Sequence, residues 1–194
     1  YVVFLKAARD PVDVALLAPA QGYAVRGAAN GDRVGQAVAS VGDVNGDGVP
    51  DALIGAPGAN FAGRDAGSAY VIYGQRAPTS TTVGLSALRP EQGFRIDGPR
   101  KDAQFGASVA SVGDVDGDGI PDLLIGAGGF HDAASYVIFG GASSQSGLRI
   151  ADLRPSQGYA IKGAGDSVAA AGDVNGDGAP DQLVALVFGA FVGL

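Results

Sequence analysis

Cysteine, methionine and tryptophan are all absent from this 194-residue chain. Without cysteine there is no disulfide framework, no thiolate nucleophile and no thiolate metal site. A single histidine, His131, excludes any site that needs two imidazoles. It stands beside Asp132 in a loop and reads as a solvated side chain. No apolar run is long enough to span a bilayer, and no secretory leader is visible. The chain opens on Tyr1 and contains no methionine, so it reads as a processed or partial chain whose targeting signal has been lost. Basic residues are few and scattered, 13 Lys and Arg against 20 Asp and Glu, for a net charge of −7. With no basic patch, nucleic acid is not an expected partner. Neither a phosphate-binding G-x-x-x-x-G-K-[ST] loop nor a nucleophile elbow occurs.

What is plentiful is glycine, 33 residues, interleaved with short apolar runs. That pattern suits an all-β protein with frequent turns. Acid is also concentrated. Gly42-Asp43-Val44-Asn45-Gly46-Asp47-Gly48-Val49-Pro50-Asp51 recurs as Gly113–Asp122 and again as Gly172–Asp181. Counted from the first Asp, each copy has oxygen-bearing side chains at positions 1, 3, 5 and 9, glycine at 6 and proline at 8. This is the spacing of a calcium loop, since Ca²⁺ takes six to eight hard oxygen ligands at about 2.3–2.6 Å. The expected ligands are Asp43, Asn45, Asp47 and Asp51; Asp114, Asp116, Asp118 and Asp122; and Asp173, Asn175, Asp177 and Asp181. Position 7 (Val49, Ile120, Ala179) is expected to add a backbone carbonyl. Three ion-free Asp-Gly turns are the plain alternative. Ten Asp residues crowded into three tight loops repel one another unless a cation neutralises them. Three bound Ca²⁺ would bring the net charge from −7 to about −1.

The flanks exclude other calcium families. An EF-hand requires Glu at position 12 and a helix on each side. Position 12 is Ile54, Ile125 or Val184. The late acidic ligand and following helix of a dockerin module are missing as well. Here proline is followed by Ala52-Leu53-Ile54 or Leu123-Leu124-Ile125, short apolar runs that read as buried strands. The loop therefore joins strand to strand.

The repetition extends past the loop. Leu88-Arg89-Pro90-Glu91-Gln92-Gly93-Phe94 resembles Leu17–Tyr23 and returns as Leu153–Tyr159. A period of tens of residues points to a propeller or solenoid. Tyr1–Leu5 reads as a strand. The first unit predicts strands at Tyr23–Arg26, Gln36–Val41, Ala52–Ala56 and Ser68–Tyr73, with Gly74–Ser86 a long connection. The second predicts Phe94–Asp97, Ala107–Val112, Leu123–Ala127 and Ser135–Phe139. Runs such as Tyr70-Val71-Ile72-Tyr73 are apolar on both faces, as in a sheet sandwiched between two others. Four-stranded antiparallel units around an axis describe a β-propeller.

With Phe105-Gly106, Gly55-Ala56-Pro57 and the acidic loop between such motifs, the chain resembles the FG-GAP repeat family, the repeats of the integrin α-subunit head, in a bacterial-type, cysteine-free form. Val34-Gly35 replaces Phe-Gly in the first unit, and Gly126-Ala127-Gly128 replaces Gly-Ala-Pro in the second. The resemblance implies a single propeller domain, or a fragment of one, over residues 1–194. Residues 1–26 supply the last strands of one blade, 27–97 and 98–162 a blade each, and 163–194 an incomplete blade. Three to three and a half blades do not close a ring, so the family implies a larger, seven-bladed propeller or completion by neighbouring subunits. The third repeat is short: 71 positions separate Asp43 from Asp114 but 59 separate Asp114 from Asp173. Pro180 to Gly189 spans 9 positions, against 24 from Pro50 to Gly74. The expectation is that residues are missing there, with Leu183-Val184 and Leu186-Val187-Phe188 in different strands, and that an intact mass well above 19.1 kDa would reveal it.

The resemblance further implies about three structural Ca²⁺ on one face and a protein or glycan ligand on the other. The opposite-face loops carry Asn60, Phe61, Arg64, Asp65, Arg100, Lys101, His131 and Asp132. The reading is a non-enzymatic, calcium-binding, extracellular module, secreted or at a cell surface, for adhesion, ligand binding or surface assembly. The alternatives are an accessory propeller of a secreted hydrolase or lyase, and a structural subunit of a larger envelope complex.

Overall fold

The computed structural model describes residues 1–3, 13–76, 80–129, 133–141 and 147–185. His131, Asp132 and Leu186–Phe188 lie outside the described residues. Among the described residues fourteen strands follow one another: β1 (Val2–Val3), β2 (Gly22–Arg26), β3 (Val38–Gly42), β4 (Asp51–Ala56), β5 (Ser68–Ile72), β6 (Thr82–Gly84), β7 (Gly93–Asp97), β8 (Phe105–Gly113), β9 (Asp122–Ala127), β10 (Ala134–Ile138), β11 (Leu148–Arg149), β12 (Gly158–Lys162), β13 (Ser167–Gly172) and β14 (Asp181–Ala185). The only helices among the described residues are three 3₁₀ turns. The architecture is all-β, built of antiparallel propeller blades.

Two blades have four antiparallel strands, in the orders β3-β4-β5-β7 and β8-β9-β10-β12. Before them stand β1 and β2, paired as β5 and β7 are: Val3 lies opposite Gly22, as Ile72 lies opposite Gly93. After them stand β13 and β14, paired in the manner of β3 and β4. The outer strand of each blade is the first strand of the following sequence repeat. Sequence repeat and sheet are thus one strand out of phase.

The connection expected over Gly74–Ser86 contains β6, and its counterpart contains β11. Each pairs in parallel with the outer strand of the preceding blade, Val83 opposite Val25 and Leu148 opposite Ile96. Two- and three-residue strands carry no periodicity, so the sequence pattern could not reveal them. They stitch neighbouring blades and cover an otherwise open sheet edge.

Alternation across β4 and β5 explains why both faces are apolar. Leu53 and Val71 face the following blade, in a core with Phe94, Ile96, Phe105, Leu123, Ile125 and Ile138. Ile54, Tyr70 and Ile72 face the preceding sheet, in a core with Tyr23, Val83 and Leu85. A third core joins Leu124 and Val137 to Val168. Each fully buried aliphatic side chain contributes roughly 1.5–3 kcal/mol. These interblade cores, and not any single sheet, hold the fold together.

The Phe-Gly and Gly-Ala motifs meet across the same seam. Phe105 is buried, its ring 5.7 Å from that of Tyr136 in an edge-on arrangement. Gly106 (φ +86°) lies against Gly55 so closely that a Cβ on Gly55 would overlap the Gly106 carbonyl. Only glycine permits that backbone approach.

Candidate functional site

The three acidic loops join β3 to β4, β8 to β9 and β13 to β14, at one end of the blades. Each begins at a β-bulge, where the register slips between Ser40 and Gly42, Ser111 and Gly113, or Ala170 and Gly172. The bulge glycines have φ of +70°, +75° and +71°. Such a bulge re-aims the following residue, here the position-1 aspartate. In the second loop Asp114 accepts hydrogen bonds from the backbone N–H groups of Gly117 (2.7 Å), Asp118 (3.1 Å) and Gly119 (2.8 Å). Asp43 and Asp173 do the same in their loops. Position 5 then accepts from position 7: Ile120 donates to Asp118 at 2.8 Å, Val49 to Asp47 at 2.8 Å and Ala179 to Asp177 at 2.9 Å. These bonds coil the backbone of each loop, and in the second they accompany a convergence of the Asp114, Asp116 and Asp122 carboxylates that does not include Asp118.

Position 9 clasps the loop to its blade. Asp122 is fully buried and accepts from Val115 N–H (2.7 Å) and Gly140 N–H (2.7 Å), the latter at the end of β10. Asp51 is equally buried and accepts from Val44 N–H (2.9 Å) and Gly74 N–H (2.8 Å). Asp181 is only half-buried and accepts from Val174 and Asn175. Burial raises the carboxyl pKa of both Asp51 and Asp122 above the ordinary aspartate value. The N–H donors oppose that rise, and the neighbouring loop carboxylates add to it.

The second loop offers a direct test of fit. Carboxylate oxygens of Asp114, Asp116 and Asp122 lie within 4.8 Å of one another. Oxygens sharing one Ca²⁺ at about 2.3–2.6 Å stand no more than about 5 Å apart. The donor set is all oxygen and strongly negative, so the residues fit a hard divalent cation. In the first and third loops position 3 is an amide. Asn45 Nδ2 donates to Asp47 (3.0 Å), and Asn175 Nδ2 donates to Asp177 (3.0 Å).

The opposite blade end carries the other expected residues. Arg64 forms a two-pronged ion pair with Asp102 (3.1 and 3.0 Å), which the Lys101 ammonium approaches to 3.8 Å. The Arg64 bond holds the Asp102 carboxyl below the usual range and raises the guanidinium. Asp65 lies 3.8 Å from Arg33, and its N–H donates to Asn60. Phe61, half-exposed, lies over the Arg95 guanidinium at 3.6 Å, and Arg95 pairs with Asp97 at 2.7 Å. Among the described residues, those other than glycine with positive φ, Arg33, Asp65, Asp102 and Gln104, all lie in these loops. Strained backbone of this kind concentrates at binding surfaces. Arg95 and the Arg33–Asp65 pair were not legible in the sequence, because each depends on loops from different strands.

The FG-GAP repeat family matches residues 34–72 and 105–138. Human phosphatidylinositol-glycan-specific phospholipase D is 33% identical over 172 residues, covering 80% of this chain and 19% of that protein. Human integrin alpha-7 is 31% identical over 145 residues, 75% of this chain and 11% of that protein. Integrin alpha pat-2 of Caenorhabditis elegans is 39% identical over 98 residues, 49% of this chain and 7% of that protein. The chain therefore spans a fifth or less of the length of these curated relatives. No helix among the described residues is long and apolar enough to cross a membrane. The interlocked Phe-Gly and Gly-Ala motifs, the bulged acidic loops between them and these similarities lead to one conclusion: the chain carries FG-GAP repeats and resembles the integrin α propeller.

Proposed function

We propose that this chain is a calcium-stabilised, non-enzymatic binding module that works outside the cell. It would contribute blades 27–97 and 98–162 to a seven-bladed propeller. The observation that carries the reading is the convergence of Asp114, Asp116 and Asp122 in a loop whose backbone plan is repeated twice more. The side chains of Asp43, Asn45, Asp47 and Asp51, with their counterparts in the other two loops, would hold about three Ca²⁺. The carbonyls of Val49, Ile120 and Ala179 would complete each shell. A bound cation supplies a cross-link between strand ends and neutralises the loop carboxylates. Millimolar extracellular calcium suffices for loops of this class.

The ligand, a protein or glycan, would meet the loops at the other blade end, where Asn60, Phe61, Arg64, Asp65, Arg100 and Lys101 stand on a rigid scaffold. The test is a thermal melt with and without EDTA, paired with calcium stoichiometry by elemental analysis. About three Ca²⁺ per chain and a large fall in melting temperature are expected. Absence of bound calcium, with no shift, would sink the reading.

A second reading is an accessory propeller of a secreted hydrolase. It is favoured by the similarity to a protein named a phospholipase D. A catalytic domain in the same polypeptide, with activity that falls when the propeller is removed, would establish it.

A further inference from the structure

Position 3 divides the acidic loops chemically. In the second loop it is Asp116. In the first and third it is an asparagine followed by glycine, Asn45-Gly46 and Asn175-Gly176. The same dipeptide occurs once more in the chain, outside the loops, as Asn30-Gly31. Asparagine before glycine is prone to deamidation, because no side chain shields the glycine nitrogen and its backbone turns freely. All three pairs are exposed, so exposure does not separate them.

Hydrogen bonding does. The Asn45 carboxamide is pinned at both ends: Nδ2 donates to the Asp47 carboxylate at 3.0 Å, and Oδ1 accepts from the Asp47 N–H at 3.0 Å. The Gly46 N–H donates to Asp43 at 2.8 Å. The third loop repeats the arrangement. Asn175 donates to Asp177 (3.0 Å) and accepts from its N–H (2.8 Å), and the Gly176 N–H donates to Asp173 (2.7 Å). The Asn30 carboxamide and the Gly31 N–H make no hydrogen bond among the described residues. Cyclisation needs the glycine nitrogen to shed its proton and meet the asparagine Cγ. A carboxylate acceptor holds that proton in place, since its loss would set two negative charges face to face. The pinned carboxamide, for its part, is not free to turn toward the nitrogen.

We propose that Asn45 and Asn175 are deamidation sites gated by the cation of their own loops, protected while the loop is closed and reactive when it opens. The step needs only water. The Gly46 nitrogen bonds to Asn45 Cγ, the Cγ–Nδ2 bond breaks, and ammonia leaves with the proton that the nitrogen sheds. Water then opens the cyclic imide at either carbonyl, giving aspartate or isoaspartate, with no change of oxidation state. Aspartate gives the loop the charge of the second. Isoaspartate carries the main chain through Cβ and Cγ. The added methylene puts the N–H groups of Gly46, Asp47 and Gly48 out of register with Asp43, which now gathers all three. Prolonged calcium withdrawal thus disables the first and third loops permanently. The second persists, because the carboxylate of Asp116 is a far poorer electrophile than an amide. The inference rests on the calcium reading above, in which the unneutralised carboxylates drive an empty loop open more often.

The experiment incubates the chain in calcium and in EDTA, below the melting temperature of the EDTA form. Peptide mass spectrometry follows Asn30, Asn45 and Asn175 over time, and bound calcium is measured beside it. Asn30 is expected to react equally in both. Asn45 and Asn175 should react roughly tenfold or more slowly in calcium, since an ion that binds only the closed loop stabilises it. After long EDTA treatment, re-added calcium should refill the second loop and not the first or third. Asp43→Ala releases the Gly46 N–H, so it should speed Asn45 in calcium and leave Asn175 as it was. Equal rates with and without bound calcium overturn the proposal. So does survival of Asn45 and Asn175 in EDTA while Asn30 reacts, or an Asn45 that stays slow in Asp43→Ala. If calcium does not bind at all, the calcium reading has failed and this inference falls with it. If calcium binds and the rates are indifferent to it, only the gating has failed.

Discussion

The first and second acidic loops have one backbone and two charge states. In both, the position-1 aspartate gathers three N–H groups and the position-9 aspartate is buried under two more. The second has carboxylates at positions 1, 3, 5 and 9. The first has an amide at position 3, and the Arg76 guanidinium donates to the Gly48 carbonyl at 3.2 Å. The third shares the amide but leaves position 9 half-buried. Loop shape is therefore set by positions 1, 6 and 9, and the affinity for the proposed cation is expected to depend on position 3 and on what lies outside the loop. The second loop is expected to bind calcium most tightly.

The largest expected effect comes from removing the clasp. Asp122→Ala deletes a proposed ligand and orphans the buried N–H of Gly140, at an expected cost of about 3 kcal/mol. Asp181→Ala, at a half-buried position, should cost clearly less. Calorimetric melting of the two variants in calcium checks the order, and equal losses would break the comparison.

Acidity should act with opposite signs on the two forms. The folded-state pKa values of Asp51 and Asp122 are raised, so the cation-free fold binds protons more readily than the unfolded chain does. Its stability should therefore rise as pH falls through the range just above the ordinary aspartate value. Calcium binds only the ionised carboxylates, so the loaded form should lose stability over the same range. Melting temperatures between about pH 7 and pH 4, with calcium and with EDTA, test this. Parallel curves would contradict it.

Asp116→Asn gives the second loop the charge of the first. The tightest calcium class should weaken roughly tenfold, about 1.4 kcal/mol, while the fold is kept. An unchanged calcium titration would show that position 3 does not set affinity. The smallest change is expected from Arg76→Gln. The contact is exposed, so calcium in the first loop should tighten by no more than about threefold. A weaker first site would mean that Arg76 supports the loop instead of repelling the ion.

Much of this protein was legible before folding, because its strongest signals are local. Bulge glycine, acidic turn and proline are read within ten residues, and the doubly apolar strands Ser68–Ile72 and Ala134–Ile138 lie where alternation and burial require. The sequence by itself therefore determined the blade type and the acidic loops between strands. Tertiary structure decided what depends on distant partners. The outer strand of each blade is borrowed from the next repeat, and β6 and β11 exist only because a neighbouring strand edge is there to receive them. Gly55 is required only because Gly106 presses on it from the adjoining blade. Whether Tyr70 or Tyr136 stands over a filled or an open space is settled by the residue opposite, Arg95 or Ala160. These two cross-strand pairs join positions more than twenty residues apart, and no local pattern along the chain encodes them.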